Sequence, residues 1–198
     1  RSGRPSLSVK AVEPTALPTI FPNLGEVRPL QTILRIEGDG AAFTPPVQAP
    51  ARRVTREDTT FLVMDMLRSV VNEGTGAGAR GAGFTLEAAG KSGTTNDLRD
   101  AWFVGFTPEL LTVVWVGFDD NREVGLSGSQ AALPIWTQFM QRALAGHASS
   151  WFTPPDSVVF VEVDRDTGEL AGPACPRVLR EAFAVGTEPT VPCTLHNY

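Results

Sequence analysis

Two nearly unbroken apolar runs, residues 101–107 (Ala-Trp-Phe-Val-Gly-Phe-Thr) and 110–118 (Leu-Leu-Thr-Val-Val-Trp-Val-Gly-Phe), constrain the fold of this chain more than anything else in it. A strand with one wet face alternates apolar and polar residues. These do not alternate, so both faces of the sheet they form must be covered. The link at Thr107-Pro108-Glu109 is far too short for a crossover, which makes the two strands antiparallel neighbours. A third strand-like run, residues 86–95, joins them through Asn96-Asp97. Helices are expected above and below. One is supplied by residues 129–145, where Ala132, Ile135, Trp136, Phe139, Met140 and Leu144 form an apolar stripe at helical spacing. Another is expected to begin at Thr55-Arg56-Glu57-Asp58, which has the form of a capping box. It carries stripes of Leu62, Met66 and Val70 and of Val63 and Leu67, and stops at Asn72-Glu73-Gly74. The fold class is therefore α+β, an antiparallel sheet covered by helices on both faces.

The sequence on either side of this region has a different texture. Pro5, Pro14, Pro18, Pro22, Pro29, Pro45, Pro46 and Pro50 break any long helix in the first 50 residues, although residues 30–37 alternate enough for a strand and Gly38-Asp39-Gly40 could close a hairpin. The run Gly74-Thr75-Gly76-Ala77-Gly78 has no Gly-Lys-Ser/Thr at phosphate-loop spacing and reads as a linker. Composition breaks at Ala148-Ser149-Ser150, with Thr153-Pro154-Pro155 after it, which divides the chain into units 1–148 and 149–198. The second is expected to be a small β-rich extension, with a strand at 158–164 and a turn at Asp166-Thr167-Gly168.

With 198 residues and 42% apolar composition the chain can bury a core. A net charge of -5, with Lys10 and Lys91 as the only lysines and no basic cluster, argues against a nucleic-acid surface. No stretch approaches the ~20 apolar residues of a membrane helix, and residue 1 is an arginine with no signal segment before it. The chain thus reads as a piece of something longer, and any membrane attachment of the parent protein would lie in a missing N-terminal part. Two cysteines occur, Cys175 and Cys193. A disulfide is the favoured reading and two unpaired thiols the alternative. A zinc site from Cys175, Cys193 and His196 would lack a fourth ligand, so no metal and no cofactor is expected.

Chemistry concentrates in the first strand. Lys91-Ser92-Gly93-Thr94-Thr95 places a lone cation and three hydroxyls on an edge, where Gly93 lets another backbone approach. An isolated edge lysine usually only guards against aggregation. Here the string is longer: Lys-Ser-Gly-Thr-Thr-Asn-Asp, then Arg-Asp-Ala-Trp-Phe-Val-Gly-Phe-Thr-Pro, then Val-Trp-Val-Gly-Phe-Asp-Asp. In that order it resembles the class A penicillin-binding proteins, bifunctional peptidoglycan glycosyltransferase/transpeptidases of the cell wall. Weaker likenesses lie at Phe21-Pro22-Asn23-Leu24-Gly25, Val71-Asn72-Glu73-Gly74-Thr75-Gly76, Ala132-Leu133-Pro134-Ile135-Trp136, Pro173-Ala174-Cys175-Pro176 and Gly186-Thr187-Glu188-Pro189.

The resemblance implies an incomplete penicillin-binding/serine β-lactamase-like transpeptidase fold. It also implies acyl transfer through a serine, with a peptidoglycan D-Ala-D-Ala stem peptide and β-lactam antibiotics as partners, on the periplasmic or extracellular side of a bacterial inner membrane. By that likeness Lys91, Ser92 and Thr94 would hold the terminal carboxylate, the Thr94 N–H would be an oxyanion donor, Gly93 would admit the substrate backbone, and Thr95 would continue the pairing edge. Neither Ser-x-x-Lys nor Ser-x-Asn occurs in the chain, so it is expected to begin downstream of the nucleophile and to be inactive alone. Ser92 stands where the family more often has Thr. Between Glu13 and Ile20 the family's helical stretch is replaced by a shorter, proline-rich one, where altered or disordered structure is expected. The alternatives are a serine D,D-carboxypeptidase or β-lactamase relative, and a non-catalytic wall-binding module. Asp97, Arg99 and Asp100 read as turn and ion-pair residues, and Asp119-Asp120 as no metal site.

Overall fold

The computed structural model describes residues 17–30, 33, 35–38, 41–43 and 50–196. Leu17–Ile20 makes one 3-10 turn, and residues 13–16, where altered structure was also expected, lie outside the described residues. Four short strands follow: β1 (Glu26–Val27), β2 (Ile36–Gly38), β3 (Ala41–Phe43) and β4 (Arg52–Arg53), paired antiparallel as β1 with β4 and β2 with β3. The expected hairpin thus closes, but its first strand starts only at Ile36.

Helix α1 spans Glu57–Asn72 and ends where Asn72-Glu73-Gly74 signals a stop. Its expected capping box does not form. Arg56 is the cap residue, without a side-chain bond, and Asp58 is held by the Arg56 guanidinium (Nε to Oδ1 2.9 Å) instead of reaching back. That ion pair keeps the Asp58 carboxyl well below the usual carboxylate range, burial opposing the shift. The buried stripe is also a different one. Phe61, Met64 and Val71 face inward, while Met66 is 68% exposed. The glycine-rich run folds in part into a single turn, α2 (Gly78–Gly81), with Ala79 buried.

The central sheet follows the apolar runs. Strands β5 (Ala89–Thr94), β6 (Ala101–Phe106) and β7 (Leu111–Val116) pair antiparallel in that order, with Lys91 opposite Val104 and Phe103 opposite Val114. One face packs under α3 (Gly128–Ala143), which a capping box of Ser127 and Gln130 starts. Trp136 of α3 stands on Gly105 and donates its indole N–H to the Gly105 carbonyl at 3.2 Å. A Cβ at Gly105 would lie 2.6 Å from that ring, so only glycine fits beneath it. Phe103 and Phe84 meet Trp136 edge-on at 5.1 and 5.3 Å, the geometry aromatic quadrupoles favour. Ile135 and Phe139, expected in this stripe, point to solvent at 52% and 49% exposure.

The other face is covered at one end. There Ala89 and Phe106 pack against Met64 and Leu67 of α1, with Phe21, Leu24, Trp151 and Phe152 around them. A helix therefore lies on each face, as the apolar runs require. At the far end Trp102 and Trp115 lie side by side, 6.0 Å apart, and Trp115 is 42% exposed.

After the sheet lobe comes a hairpin-like pair, β8 (Val158–Asp164) and β9 (Val178–Ala184). The loop between them folds back, Leu170 bridging to Val163 on one side and Pro192 on the other. This tail touches the lobe through Phe160, edge-on to Phe61 at 6.2 Å, and through Arg165, 2.9 Å from Glu73.

Candidate active-site strand

Strand β5 carries Lys91, Ser92, Gly93 and Thr94 of the residues singled out for chemistry in the first unit, and among the described residues it pairs only with β6; Thr95, expected to continue the edge, lies one residue past its end and caps the 3-10 turn Asn96–Leu98. The Thr95 N–H donates to the Asp100 carbonyl at 3.1 Å. Because an antiparallel ladder alternates, Gly93 and Lys91 share that inward bonding, and Ser92 and Thr94 turn their N–H and C=O groups away from β6. The pleat places Gly90, Ser92 and Thr94 on the α3 face and Lys91 and Gly93 on the other.

Lys91 is exposed, and its ammonium curls over the edge to donate to the Ser92 carbonyl at 2.7 Å. A cation thus lies next to the outward main-chain groups. The Ser92 hydroxyl is 3.0 Å from that of Thr75. Thr94 Oγ1 accepts the Gly128 N–H at 3.1 Å, at the first residue of α3. Gly128 is packed so tightly over Gly93 that an added Cβ would run into the Trp102 and Gly93 carbonyl oxygens, 2.6 Å from the latter. Thr95 is held by Asp100: its Oγ1 accepts the Asp100 N–H at 2.8 Å, and Asp100 Oδ1 in turn accepts the Trp115 indole N–H at 2.8 Å. Asp100 thus braces the strand end, and Arg99 pairs with Asp97 at 3.6 Å in the turn.

Thr75 and Gly128 were not singled out from the sequence. Thr75 lies in the glycine-rich run read there as a linker, which instead brings a hydroxyl onto the strand. Gly128 carries no side-chain signal at all, only its place at a helix start. Beneath the strand, Arg68 of α1 holds Glu87 at 2.7 Å, and this hydrogen bond lowers the Glu87 carboxyl against the opposing effect of burial. The strand presents one cation, several hydroxyls and two outward main-chain N–H groups, a set that can hold an anionic, extended peptide end.

The two cysteines lie in the tail, and both are free. The favoured disulfide is not formed in this structure. Cys193 is buried, Cys175 half-buried, and both sulfurs lie within 4.8 Å of ligand atoms of Asp164 and His196. Burial raises the Asp164 carboxyl, but hydrogen bonds from Cys175, from the Thr167 and Asp166 N–H groups and from His196 outweigh it and bring it to about 2. Among the described residues Asp119 and Asp120 belong to no cluster of three or more metal-ligand side chains. Asp120 pairs with Arg122 at 3.6 Å.

Known proteins resemble this chain along most of its length. The family described as penicillin binding protein transpeptidase domain matches residues 3–141, and penicillin-binding protein 1A, C-terminal domain, matches residues 154–198. Penicillin-binding protein 1A of Aquifex aeolicus is 35% identical over 192 residues, covering 96% of this chain and 26% of that protein. Its namesake in Rickettsia prowazekii is 40% identical over 120 residues, 60% of this chain and 15% of that protein. The crystal structure of penicillin-binding protein 1A from Haemophilus influenzae superposes with a TM-score of 0.63 at 32% identity, covering 72% of this chain and 22% of that one. The chain spans about a quarter or less of the length of these relatives. It belongs to the penicillin-binding protein family and corresponds to the C-terminal part of its class A members.

Proposed function

We propose that this chain is the C-terminal lobe of a penicillin-sensitive peptidoglycan D,D-transpeptidase, and that β5 is the active-site wall receiving the D-Ala-D-Ala end of a stem peptide. The observation that carries this reading is the edge of β5, where the outward main-chain groups of Ser92 and Thr94 lie beside the Lys91 ammonium. A substrate strand pairing there gains main-chain hydrogen bonds, and its terminal carboxylate meets Lys91 and the hydroxyls of Ser92 and Thr94. Thr95, tied to Asp100, braces the end of the strand just past the site.

The reaction is acyl transfer. A serine hydroxyl attacks the carbonyl of the penultimate D-Ala, the C–N bond to the last D-Ala breaks, and that D-Ala leaves with a proton. The amine of a neighbouring stem then displaces the serine. Negative charge developing on the carbonyl oxygen would be met by the Thr94 N–H, preorganised by the strand, with the second donor coming from the nucleophile's own region. Ser-x-x-Lys does not occur in these 198 residues, so the nucleophile is supplied from outside the chain. We further propose the division at 148/149, with the tail as a separate unit, and action on the outer side of the bacterial inner membrane. No helix among the described residues is long and apolar enough to cross a membrane.

The test is acylation by labelled penicillin in a longer protein that includes the nucleophile. Lys91→Ala is expected to slow acylation about 30-fold, since a charge-assisted contact to the carboxylate is worth on the order of 2 kcal/mol. Unchanged kinetics would refute the role of β5. The 198-residue chain by itself should show no penicillin adduct by intact mass after denaturation.

A further inference from the structure

We propose that Asp164, Cys175, Cys193 and His196 form a structural zinc site that closes the tail. The four side chains come from three separate stretches, and their ligand atoms all lie within 4.8 Å of one another. Cys193 Sγ is 3.6 Å from His196 Nδ1, close to the edge of about 3.5 Å expected between sulfur and nitrogen on a tetrahedral zinc. His196 Nδ1 and Asp164 Oδ2 stand 2.9 Å apart, a hydrogen bond that a metal would replace with a small outward shift. Two sulfurs, one imidazole and one carboxylate make a full four-coordinate set for Zn²⁺ with no position left over, which marks a structural rather than a catalytic centre.

The surroundings hold each ligand in place. Asp164 Oδ1 accepts the N–H groups of Asp166 and Thr167 at 2.9 and 3.0 Å, which fixes the carboxylate and leaves Oδ2 facing the cluster. The Gly172 N–H points at Cys175 Sγ at 3.2 Å. The Leu170 bridges bring the Cys193 stretch against the end of β8, since the Cys193 N–H donates to the Leu170 carbonyl at 2.8 Å and the Asp164 N–H to the Glu169 carbonyl at 2.9 Å.

Charge and size point the same way. Asp164 is 0% exposed, and among the described residues its one ion-pair partner is His196. A buried carboxylate needs a cation or a metal. Within residues 154–196 the buried side chains are Val158, Val163, Asp164 and Cys193, so half of this small interior consists of metal-ligand types. A two-stranded sheet with so little apolar burial is marginal in water, and small units of this kind are commonly closed by a disulfide or a metal. Four convergent ligands favour the metal.

The test uses the full 198-residue chain, purified without chelator and kept reduced. Elemental analysis is expected to give close to one zinc per chain. After stripping, Co²⁺ should produce thiolate-to-cobalt charge-transfer absorption with the intense d–d bands of a tetrahedral ion, and added Zn²⁺ should abolish both. Cys175→Ser and His196→Ala are expected to lose the metal. His196→Cys, which keeps four ligands, should retain it even if the other variants fail to fold. A reduced, folded wild-type chain that binds neither ion would overturn the proposal. So would a freshly isolated chain that is two hydrogens light, resists alkylation at both cysteines, and takes up no cobalt after reduction.

Discussion

The sheet lobe and the tail are each built on antiparallel strands, yet opposite materials hold them together. In the lobe, three strands lie between α3 and α1, and the largest buried groups are aromatic: Trp136, Phe61, Phe84, Phe103 and Phe106. Its stability is therefore set by apolar area and packing. In the tail, two strands bury little apolar surface beyond the contact of Phe160 with Phe61, and the centre is the polar knot around Asp164. An interior of that kind depends on every partner being present, because a buried polar group left unmatched costs more than a lost apolar contact of similar size. The lobe should degrade by degrees and the tail all at once.

Three measurements would break or sharpen that contrast. The largest effect is expected from Trp136→Ala, which removes the ring under which Phe84, Phe103 and Gly105 assemble. A loss of about 4 kcal/mol is expected in denaturant unfolding, with amide protection falling across β5–β7 before β8–β9. If the tail lost protection equally, the two regions would be one cooperative unit. Phe160→Ala removes the edge contact with Phe61 at the junction, where the Arg180 guanidinium also lies 4.5 Å above the Phe160 ring. About 1–2 kcal/mol is expected, read as a lower melting point of the tail with the lobe unchanged. The smallest effect concerns acid. The folded Glu87 carboxyl lies below its unfolded value because Arg68 bonds to it. Its contribution is complete above the unfolded value and is lost as pH falls through the folded one. Lobe stability should therefore fall on acidification, by under about 1 kcal/mol for a half-exposed pair, and Arg68→Met should flatten that slope. A slope unchanged in Arg68→Met would remove the pair from the account.

The strands were legible because their signal is local and strong. The sheet strands 89–94, 101–106 and 111–116 fall inside the runs read from composition, and Val158–Asp164 matches its expected strand end to end. Helix α1 existed where expected but rotated differently. Phe61, Leu62, Val63, Met64, Met66, Leu67, Val70 and Val71 are apolar nearly all round, so periodicity could not choose between adjacent rows, and packing against β5 and Phe106 chose Met64. The cap was misread because Arg56, between Thr55 and Asp58, takes the carboxylate that the box would have used. In the strand the hydroxyls and the lysine were visible, whereas Thr75, in a loop, and Gly128, at the start of α3, are brought there by tertiary folding. The tail cluster was hidden for a similar reason. A count of cysteines and histidines passes over Asp164, which lies 32 positions before His196 and reaches it only because the loop after β8 folds back.

The bond from the Gly128 N–H to Thr94 Oγ1 spans 34 positions of sequence and gives the threonine a polarity. With a donor already aimed at one lone pair of its oxygen, the hydroxyl keeps its own proton to offer elsewhere. A visitor bringing an acceptor finds a proton on offer, and one bringing a donor must share the oxygen with Gly128. The strand thus sorts what approaches it by hydrogen-bond sense before charge comes into play, and the sorting is set by the first residue of the helix that packs on that face of the sheet.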